Sequence, residues 1–242
     1  MGRLFLYPQM KHGICPLSIV PVRADASDAS EMVTQLLFGD LYSVIKKKKK
    51  WLRIKMSFDG YEGWIDVKQA FEISKSEAEK LEQLEPSVLL DTVQMISLGA
   101  TAQPQLIVQG SCFYHFANGH FTWNNTEVEC KGEVVFGKTE KQNLLDLAFS
   151  YLNAPYLWGG RTPFGIDCSG FSQMVYKLGG YKLPRDAKDQ AELGEALSFI
   201  EEAEPGDLAF FDNEDGKIVH VGILLANNYI IHASGKVRID RL

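Results

Sequence analysis

Apolar and polar residues alternate along the first third of the chain in the pattern of short β-strands. The clearest run is residues 51–56, where Leu52, Ile54 and Met56 alternate with Arg53 and Lys55. Further strands are predicted at residues 17–22, 31–37, 41–45 and 61–65, separated by turns such as Gly39-Asp40 and Asp59-Gly60. Short strands joined by polar turns are typical of a small barrel, so residues 14–72 are predicted to form a first all-β domain.

A second stretch of alternating residues follows a charged segment, residues 70–85, that is predicted to be a connecting helix or loop. Strands are expected at residues 88–90, 95–98, 106–108, 113–116, 121–123 and 133–136. Gly119 is predicted to turn a hairpin between the strands at 113–116 and 121–123. Residues 86–138 are therefore predicted to form a second, more divergent barrel.

The apolar spacing changes to a helical one near residue 141. One face is formed by Leu144, Leu145, Leu147, Ala148 and Tyr151, and Pro155 ends the pattern. A second helix is predicted to begin at residue 168 and a third to span residues 187–197, before strands at 207–211, 218–225 and 229–232. Helices followed by an antiparallel meander indicate an α+β domain over residues 141–242.

Charge and composition narrow the class of protein. The net charge is −6 and the pI about 5.4, which argues against a nucleic-acid partner. The one strongly basic feature, Lys46 to Lys50, is predicted to be a solvated loop between strands. No apolar run reaches the ~18 residues of a membrane-spanning helix, and the apolar stretch in residues 1–8 is too short for a signal peptide.

The four cysteines are Cys15, Cys112, Cys130 and Cys168, and no two of them form a C-x-x-C pair. Their number and scatter argue against a disulfide scaffold and against a zinc site. Cys112 and Cys130 are expected to be free buried thiols, the usual state in a cytosolic protein.

Cys168 is the candidate nucleophile. It follows a glycine-rich approach at residues 155–160 and begins a predicted helix with Asp167 as the N-cap. The first-turn N–H groups and the helix dipole favour a thiolate there and can hold a developing oxyanion. Without such a context, a lone cysteine is more often a small buried apolar residue.

Two of the five histidines, His220 and His232, lie on one predicted hairpin that turns at residues 226–228. Antiparallel pairing brings them close together, so that one can take the thiol proton while the other orients it. Taken singly, His220 is expected to be a core residue and His232 a surface residue at a strand end. The other histidines, His12, His115 and His120, are interpreted as structural or exposed.

Five ordered motifs carry a family resemblance. They are Tyr156-x-Trp158-Gly159-Gly160, Asp167-Cys168-Ser169-Gly170-Phe171, Pro205-Gly206-Asp207-Leu208-x-Phe210-Phe211, His220-Val221-Gly222-Ile223 and Ile231-His232-Ala233. Together they resemble the NlpC-type murein peptidases, papain-like cysteine endopeptidases, over residues 141–242. The resemblance implies Cys168 as nucleophile, His220 as base and His232 as the residue that orients His220.

The front half resembles bacterial SH3-like domains, because a strand reading W-L-x-I is followed by a D-G turn and then by Y-x-G-W-I. The implied fold is multidomain, with two small all-β SH3-like barrels followed by an α+β papain-like (NlpC-type) catalytic domain. This order resembles the γ-D-glutamyl-L-diamino acid endopeptidases of murein-peptide recycling. These cleave between γ-D-Glu and meso-diaminopimelate or Lys, and they require a free N-terminal L-Ala.

The resemblance also implies a substrate-binding set. Glu31 and Asp186 would hold the free amine, Tyr61 would form a wall of the pocket, and Trp158, Asp167 and Ser169 would surround the nucleophile. Ala187 stands where the family pattern has Ser, so a backbone N–H is expected to replace that contact. From the residues alone, Asp186 is equally well explained as a helix N-cap, and Glu31 is better explained as a surface strand residue.

The expected partner is therefore a murein-derived peptide, L-Ala-γ-D-Glu-diamino acid, with no metal or organic cofactor and a cytoplasmic location. An exported protein, periplasmic or secreted, is the alternative location. Two other functions stay open at this stage: a secreted hydrolase of intact peptidoglycan, and a non-catalytic module that binds murein peptides. The chain ends soon after His232, which leaves room for one further strand.

Overall fold

The front of the molecule is one antiparallel sheet. The structure, a computed structural model, describes residues 11–99 and 103–242, so the expectation for residues 1–8 lies outside the described residues. The sheet order is β3-β2-β6-β5-β4-β1-β7. Its strands are β1 His12–Ile14, β2 Ile19–Arg23, β3 Met32–Leu37, β4 Leu41–Lys48, β5 Trp51–Met56, β6 Glu62–Asp66 and β7 Phe71–Glu72.

The lysine run differs from its prediction as a loop. Lys46, Lys47 and Lys48 continue β4 and pair with β5, and Lys48 lies opposite Trp51. Only Lys49 and Lys50 form the turn, with Lys49 at a φ of 54°. Backbone pairing with the strong β5 strand extends the ladder, while the lysine side chains stay exposed. The charge pattern therefore describes the surface correctly but not the backbone.

A short connecting helix, α1 Lys75–Glu82, leads to the second region. This region is all-β, as predicted, but its described strands pair in separate small sheets, β11-β8-β14, β10-β9 and β12-β13. A second SH3-like barrel therefore remains a prediction. The strands are β8 Ser87–Leu89, β9 Val93–Ile96, β10 Gln105–Val108, β11 Cys112–Phe113, β12 His120–Trp123, β13 Thr126–Glu129 and β14 Val134–Val135.

The hairpin predicted at Gly119 is confirmed, because Ala117 and His120 pair across the turn at residues 118–119 and Thr122 N donates to Tyr114 O at 3.3 Å. A second hairpin follows, in which β12 forms its ladder with β13 across the turn at Asn124 and Asn125. Both asparagines have positive φ, which the short polar side chain tolerates better than most. The sequence analysis missed β13 because Val128 is its one apolar residue.

The C-terminal domain packs helices against a four-stranded antiparallel sheet, β17-β18-β19-β20. The third predicted helix is shorter than expected, since α4 ends at Ala191 and residues 192–199 are exposed loop. The elements are α2 Asn143–Phe149, β15 Arg161–Thr162, β16 Gly165–Ile166, α3 Cys168–Leu178, α4 Ala187–Ala191, β17 Leu208–Asp212, β18 Ile218–Leu225, β19 Tyr229–Ser234 and β20 Lys236–Arg241.

Helix α3 is the element that joins the C-terminal domain to the front domain. Its apolar face, Phe171, Met174, Val175 and Leu178, is buried in the C-terminal core with Ile223 and Ile231 of the sheet. Its other side carries polar residues that reach the front sheet. Lys177 Nζ lies 3.0 Å from Asp40 Oδ1, and Gln173 donates to Asp59 Oδ2 at 2.9 Å.

A second cation strengthens this junction. Arg161 is fully buried and donates to the backbone oxygen of Gln35 at 2.8 Å and to Asp40 at 3.5 Å. Two cations thus share one buried carboxylate, and they hold the pKa of Asp40 below its ordinary value despite burial. The front domain is therefore fixed to the helix whose first residue is Cys168.

The four cysteines, all within the described residues, are free and buried, as expected for Cys112 and Cys130. Within residues 11–99 and 103–242, none of the helices has the length and apolar character to span a bilayer.

Candidate active site

Cys168 is the first residue of α3, and Asp167 is its N-cap, as predicted. The Asp167 side chain accepts from Gly170 N at 2.7 Å and from Gly159 N at 2.7 Å. Arg185 donates to both carboxylate oxygens as well, and the first contact, Nη1 to Oδ1, is 3.0 Å. Asp167 therefore fixes both the glycine-rich approach and the start of the nucleophile helix.

Arg185 is a site residue that the sequence analysis missed. It is 2% exposed, and besides Asp167 it donates to Ser169 Oγ at 2.9 Å and to Thr34 Oγ1 at 3.1 Å. An arginine fork matches a carboxylate with two parallel hydrogen bonds. The available signal was the position of Arg185 directly before Asp186, but a lone arginine gives no pairing partner from sequence.

The two histidines converge as the hairpin prediction required. His220 lies on β18 and His232 on β19, and His220 Nε2 is 2.6 Å from His232 Nδ1. Gly222 lies between them on the chain, and a Cβ built there would come 3.0 Å from the His232 Cβ. The absence of a side chain at Gly222 thus leaves room for the two rings to meet.

Strand β18 also reaches the cysteine. Val221, the next residue along the strand, packs with Cys168 and Ala187 in a small buried cluster. The backbone of Val221 also forms a hydrogen bond with the thiol that lowers its pKa. Ala187 is the first residue of α4, so its backbone N–H belongs to a helix start beside the sulfur.

Burial is the main influence on the pKa values of Cys168 and His220. It is the largest cause that raises the pKa of the Cys168 thiol, and the charge of Asp167 raises it further. Burial is also the largest cause that lowers the pKa of His220, followed by the neighbouring His232. The expectation of a resting thiolate is therefore not met, because loss of solvation outweighs the helix end. A neutral thiol beside a neutral imidazole is suited to proton transfer during attack.

A fourth side chain continues the line of histidines. His232 Nε2 lies 2.9 Å from Asp240 Oδ2, and Arg238 donates to the other oxygen of Asp240. Arg238 and Asp240 lie on β20, the last strand of the sheet. The sequence analysis missed Asp240 because only the register of β19 and β20 brings it beside His232.

Four residues of the predicted substrate-binding set meet across the boundary between the front and C-terminal domains. Trp158 Nε1 donates to Glu31 Oε1 at 2.5 Å, and Tyr61 OH donates to Asp186 Oδ1 at 3.2 Å. Gly159 approaches the front domain closely, because a Cβ built there would meet Met32 O at 2.2 Å. Each contact joins one residue of the front domain to one of the C-terminal domain.

These contacts bear on the alternatives left open for the two carboxylates. Asp186 occupies the N-cap position of α4, but its side chain makes no capping hydrogen bond and instead accepts from Tyr61. Glu31 is exposed at the beginning of β3, yet its carboxylate is bound by Trp158. Asp186 is therefore not a simple cap, and the exposed carboxylate of Glu31 has a partner in the peptidase domain.

Ser169 and Asp167, two members of the predicted substrate-binding set, have their side-chain hydrogen bonds within the fold. Both are buried, and the donors to the Asp167 carboxylate are Gly159, Gly170, Arg185 and, at 3.4 Å, Ser169 Oγ. Ser169 Oγ accepts from Arg185. Their side chains support the loop and the helix around the cleft, and a direct substrate contact by either remains a prediction.

Comparison with known proteins agrees with this arrangement. The sequence profile of the NlpC/P60 family matches residues 153–242, and that of the bacterial dipeptidyl-peptidase SH3 domain matches residues 22–69. The C-terminal part of the chain belongs to the NlpC/P60 family of cysteine peptidases. The predicted family resemblance and the prediction of an SH3-like domain ahead of the peptidase are thereby confirmed.

Relatives with assigned names are similar over different lengths. A γ-D-glutamyl-L-lysine dipeptidyl-peptidase of Bacillus cereus is 26% identical over 230 residues, which are 86% of this chain and 68% of the relative. A protein of the same name from Bacillus subtilis is 40% identical over 98 residues, 40% of this chain and 33% of the relative. The stronger identity therefore covers a shorter stretch, and the chain matches about a third of the Bacillus subtilis relative.

The fold is shared across the whole chain. The crystal structure of an NlpC/P60 family protein from Bacillus cereus superposes with a TM-score of 0.82 at 21% identity, covering 95% of this chain and 94% of that one. An NlpC/P60 endopeptidase from Photobacterium damselae gives a TM-score of 0.74 at 16% identity, covering 96% and 66%. At these identities the likeness concerns the fold alone.

Proposed function

We propose that this peptidase cleaves the bond between γ-D-glutamate and an L-diamino acid in short murein peptides that carry a free N-terminal L-Ala. The observation that carries the proposal is the pair of interdomain contacts, Glu31 with Trp158 and Tyr61 with Asp186, beside the cysteine helix. Two carboxylates beside the cysteine helix suit an ammonium group, to which they can form charge-assisted hydrogen bonds.

The position of the front domain supports an enzyme that acts on short peptides. Glu31 and Tyr61 belong to the front domain, and they contact the peptidase domain through Trp158 and Asp186. In the proposed complex, the front domain limits how much chain can extend beyond the bound amine. A long polymer would need room there, so we expect a peptide whose N-terminus lies beside Glu31 and Asp186.

In the proposed reaction, Cys168 attacks the γ-carbonyl carbon of D-Glu while His220 takes the thiol proton. The tetrahedral intermediate collapses, the bond to the diamino acid breaks, and its nitrogen leaves with the proton from His220. Water, activated by the same imidazole, then hydrolyses the thioester and releases L-Ala-D-Glu. His232 orients His220, and N–H groups at the start of α3 stabilise the oxyanion.

We also propose that residues 86–138 are a second, divergent SH3-like domain, and that 14–72 and 141–242 bound the other two domains. Phe38 of the front domain stacks on Trp123 of the second region at 4.7 Å, so the two regions share an aromatic core. A cytoplasmic location is proposed because the cysteines are free thiols. Cell fractionation with an antibody to the chain tests the location.

Digestion followed by mass spectrometry tests the proposed activity. The enzyme is offered the tripeptides L-Ala-γ-D-Glu-meso-diaminopimelate and L-Ala-γ-D-Glu-L-Lys, and separately intact sacculi, with Cys168→Ala as the control. The proposal predicts L-Ala-D-Glu and the free diamino acid from at least one tripeptide, and little soluble release from sacculi. Efficient release from sacculi with intact tripeptides would contradict it and favour a hydrolase of polymeric peptidoglycan.

A further inference from the structure

The hydrogen-bond line at the active site continues past the second histidine to the last strand. His220 Nε2 lies 2.6 Å from His232 Nδ1, and His232 Nε2 lies 2.9 Å from Asp240 Oδ2. We propose that Asp240 is a positioning residue that sets the tautomer and orientation of both histidines, so that His220 presents a lone pair to Cys168. The proposal rests on the catalytic roles proposed above for Cys168, His220 and His232.

The strand register explains why these side chains meet. In the antiparallel pair β19–β20, His232 lies opposite Arg238 and Ile230 lies opposite Asp240. Residues two apart on a strand point to the same face, so His232 and Asp240 are diagonal neighbours on one face of the sheet. The contact is therefore a property of the register, and a slip of one residue would remove it.

Arg238 completes the support of the carboxylate. Its Nη2 donates to Asp240 Oδ1 at 2.6 Å and its Nε at 3.1 Å, while Oδ2 faces His232. The hydrogen bond from His232 is the first cause, and that from Arg238 the second, that lower the pKa of Asp240. The carboxylate is thus ionised at neutral pH, and an ionised carboxylate can only accept hydrogen bonds.

The tautomers follow by counting protons. Because Asp240 only accepts, the proton of a neutral His232 lies on Nε2, and its Nδ1 carries a lone pair. That lone pair must accept from His220, so the single proton of neutral His220 lies on Nε2. The remaining nitrogen of His220, Nδ1, is then the one free to take the thiol proton. Without Asp240, both rings can adopt the opposite tautomer, in which the base of the proposed reaction is blocked.

The competing explanation is a surface ion pair of Asp240 and Arg238 without a role in the reaction. Asp240 is about one-third exposed and Arg238 about half exposed, at 35% and 49% of their side-chain surfaces. His232, in contrast, is 8% exposed, and a buried imidazole needs a partner for each polar nitrogen. A surface pair would affect stability slightly and would leave the histidine tautomers unchanged.

The test is Asp240→Asn in the full chain. Arg238 holds the amide oxygen, which turns the amide NH₂ toward His232 Nε2 and favours the opposite tautomer. With the tripeptide as substrate, kcat is expected to fall about 10- to 100-fold while KM stays within about twofold, because the side chain is remote from the substrate pocket. Nitrogen-15 NMR of the histidine rings is expected to show the His232 proton moving from Nε2 to Nδ1.

Matched variants separate positioning from structure. Arg238→Gln keeps the carboxylate and Asp240→Glu restores one, so both are expected to keep the wild-type tautomers. Asp212→Asn removes an exposed carboxylate from strand β17 of the same sheet, and it is expected to leave kcat and the ring spectra unchanged. If Asp240→Asn does not fold, kcat and the histidine spectra are measured on Asp240→Ala instead.

Wild-type kcat together with unchanged histidine tautomers in Asp240→Asn or Asp240→Ala would overturn the proposal. Failure of the wild-type enzyme to cleave the tripeptide would be a failure of the proposed function, and the NMR spectra would still test Asp240. Loss of kcat without a tautomer change would also contradict the proposal, since it would indicate disruption of the sheet instead.

Discussion

The two sides of the cleft are built in different ways. The proposed reacting side, Cys168 with His220 and His232, lies within the peptidase domain on one helix and one hairpin. The proposed recognition side is assembled from two domains, since Glu31 meets Trp158 and Tyr61 meets Asp186. The chemistry thus needs only the local fold, whereas the proposed substrate selection depends on how the front domain is fixed in place.

Loss of the nucleophile is expected to have the largest effect. Cys168→Ala removes the group that attacks, so tripeptide turnover should fall by about 10⁴-fold or more while binding persists. Stopped turnover with retained peptide binding, measured by mass spectrometry and calorimetry, fits a reacting side that is separate from recognition. Residual turnover within tenfold of the wild type would contradict the role of Cys168.

Breaking the junction between the front domain and helix α3 is expected to have the next largest effect, a loss of stability. Asp40→Asn removes the carboxylate shared by Lys177 and Arg161, and two buried cations lose their counter-charge. The free energy of unfolding should fall by about 3–5 kcal/mol, measured by urea denaturation. Asp28→Asn breaks an exposed pair with Lys50, which solvent screens, and should leave the free energy of unfolding nearly unchanged. Equal costs for the two variants would contradict the importance of the junction.

Neutralising either carboxylate of the recognition side should affect binding more than chemistry. Glu31→Gln and Asp186→Asn are each expected to lower kcat/KM about 10- to 100-fold, chiefly through KM, because a charge-assisted hydrogen bond to the amine is lost. The control is Glu62→Gln, an exposed glutamate of the same front domain that pairs with Arg53. A fall in kcat alone would place these carboxylates on the reacting side instead.

The smallest expected effect is a shift of the acid limb of the kcat/KM profile to lower pH. Since the pKa of His220 is lowered below its ordinary 6.5, the imidazole stays neutral to lower pH than a solvated histidine would. The kcat/KM profile for the tripeptide is therefore expected to stay flat to below pH 6.5 and to fall only as His220 becomes protonated. An acid limb centred above pH 6.5 would contradict the dominance of burial at this site.

The sequence predicted the helix cap before Cys168 and the meeting of the two histidines, because both depend on local elements. A helix N-cap such as Asp167 and two histidines on one hairpin are visible as short-range patterns. Arg185 and Asp240 escaped prediction because their roles depend on contacts between elements, the first through a buried fork to Asp167 and the second through strand register.

The same physical distinction explains the errors in the front half. Lys46–Lys48 were assigned to a loop from their charge, but strand pairing extends through residues whose side chains simply stay in solvent. The local turn signal predicted the hairpin at Gly119 correctly, but the longer ladder of β12 with β13 across Asn124 and Asn125 was missed. The choice of strand partner is a tertiary property that local turn signals do not decide.

The most direct test of the central claim compares the tripeptide L-Ala-γ-D-Glu-L-diamino acid with its N-acetylated form. Acetylation removes the ammonium charge that Glu31 and Asp186 are proposed to hold and leaves the scissile bond intact. The account predicts a fall of about 100-fold or more in kcat/KM for the wild-type enzyme, and a much smaller fall for Glu31→Gln combined with Asp186→Asn. Equal cleavage of both peptides by the wild-type enzyme would contradict it.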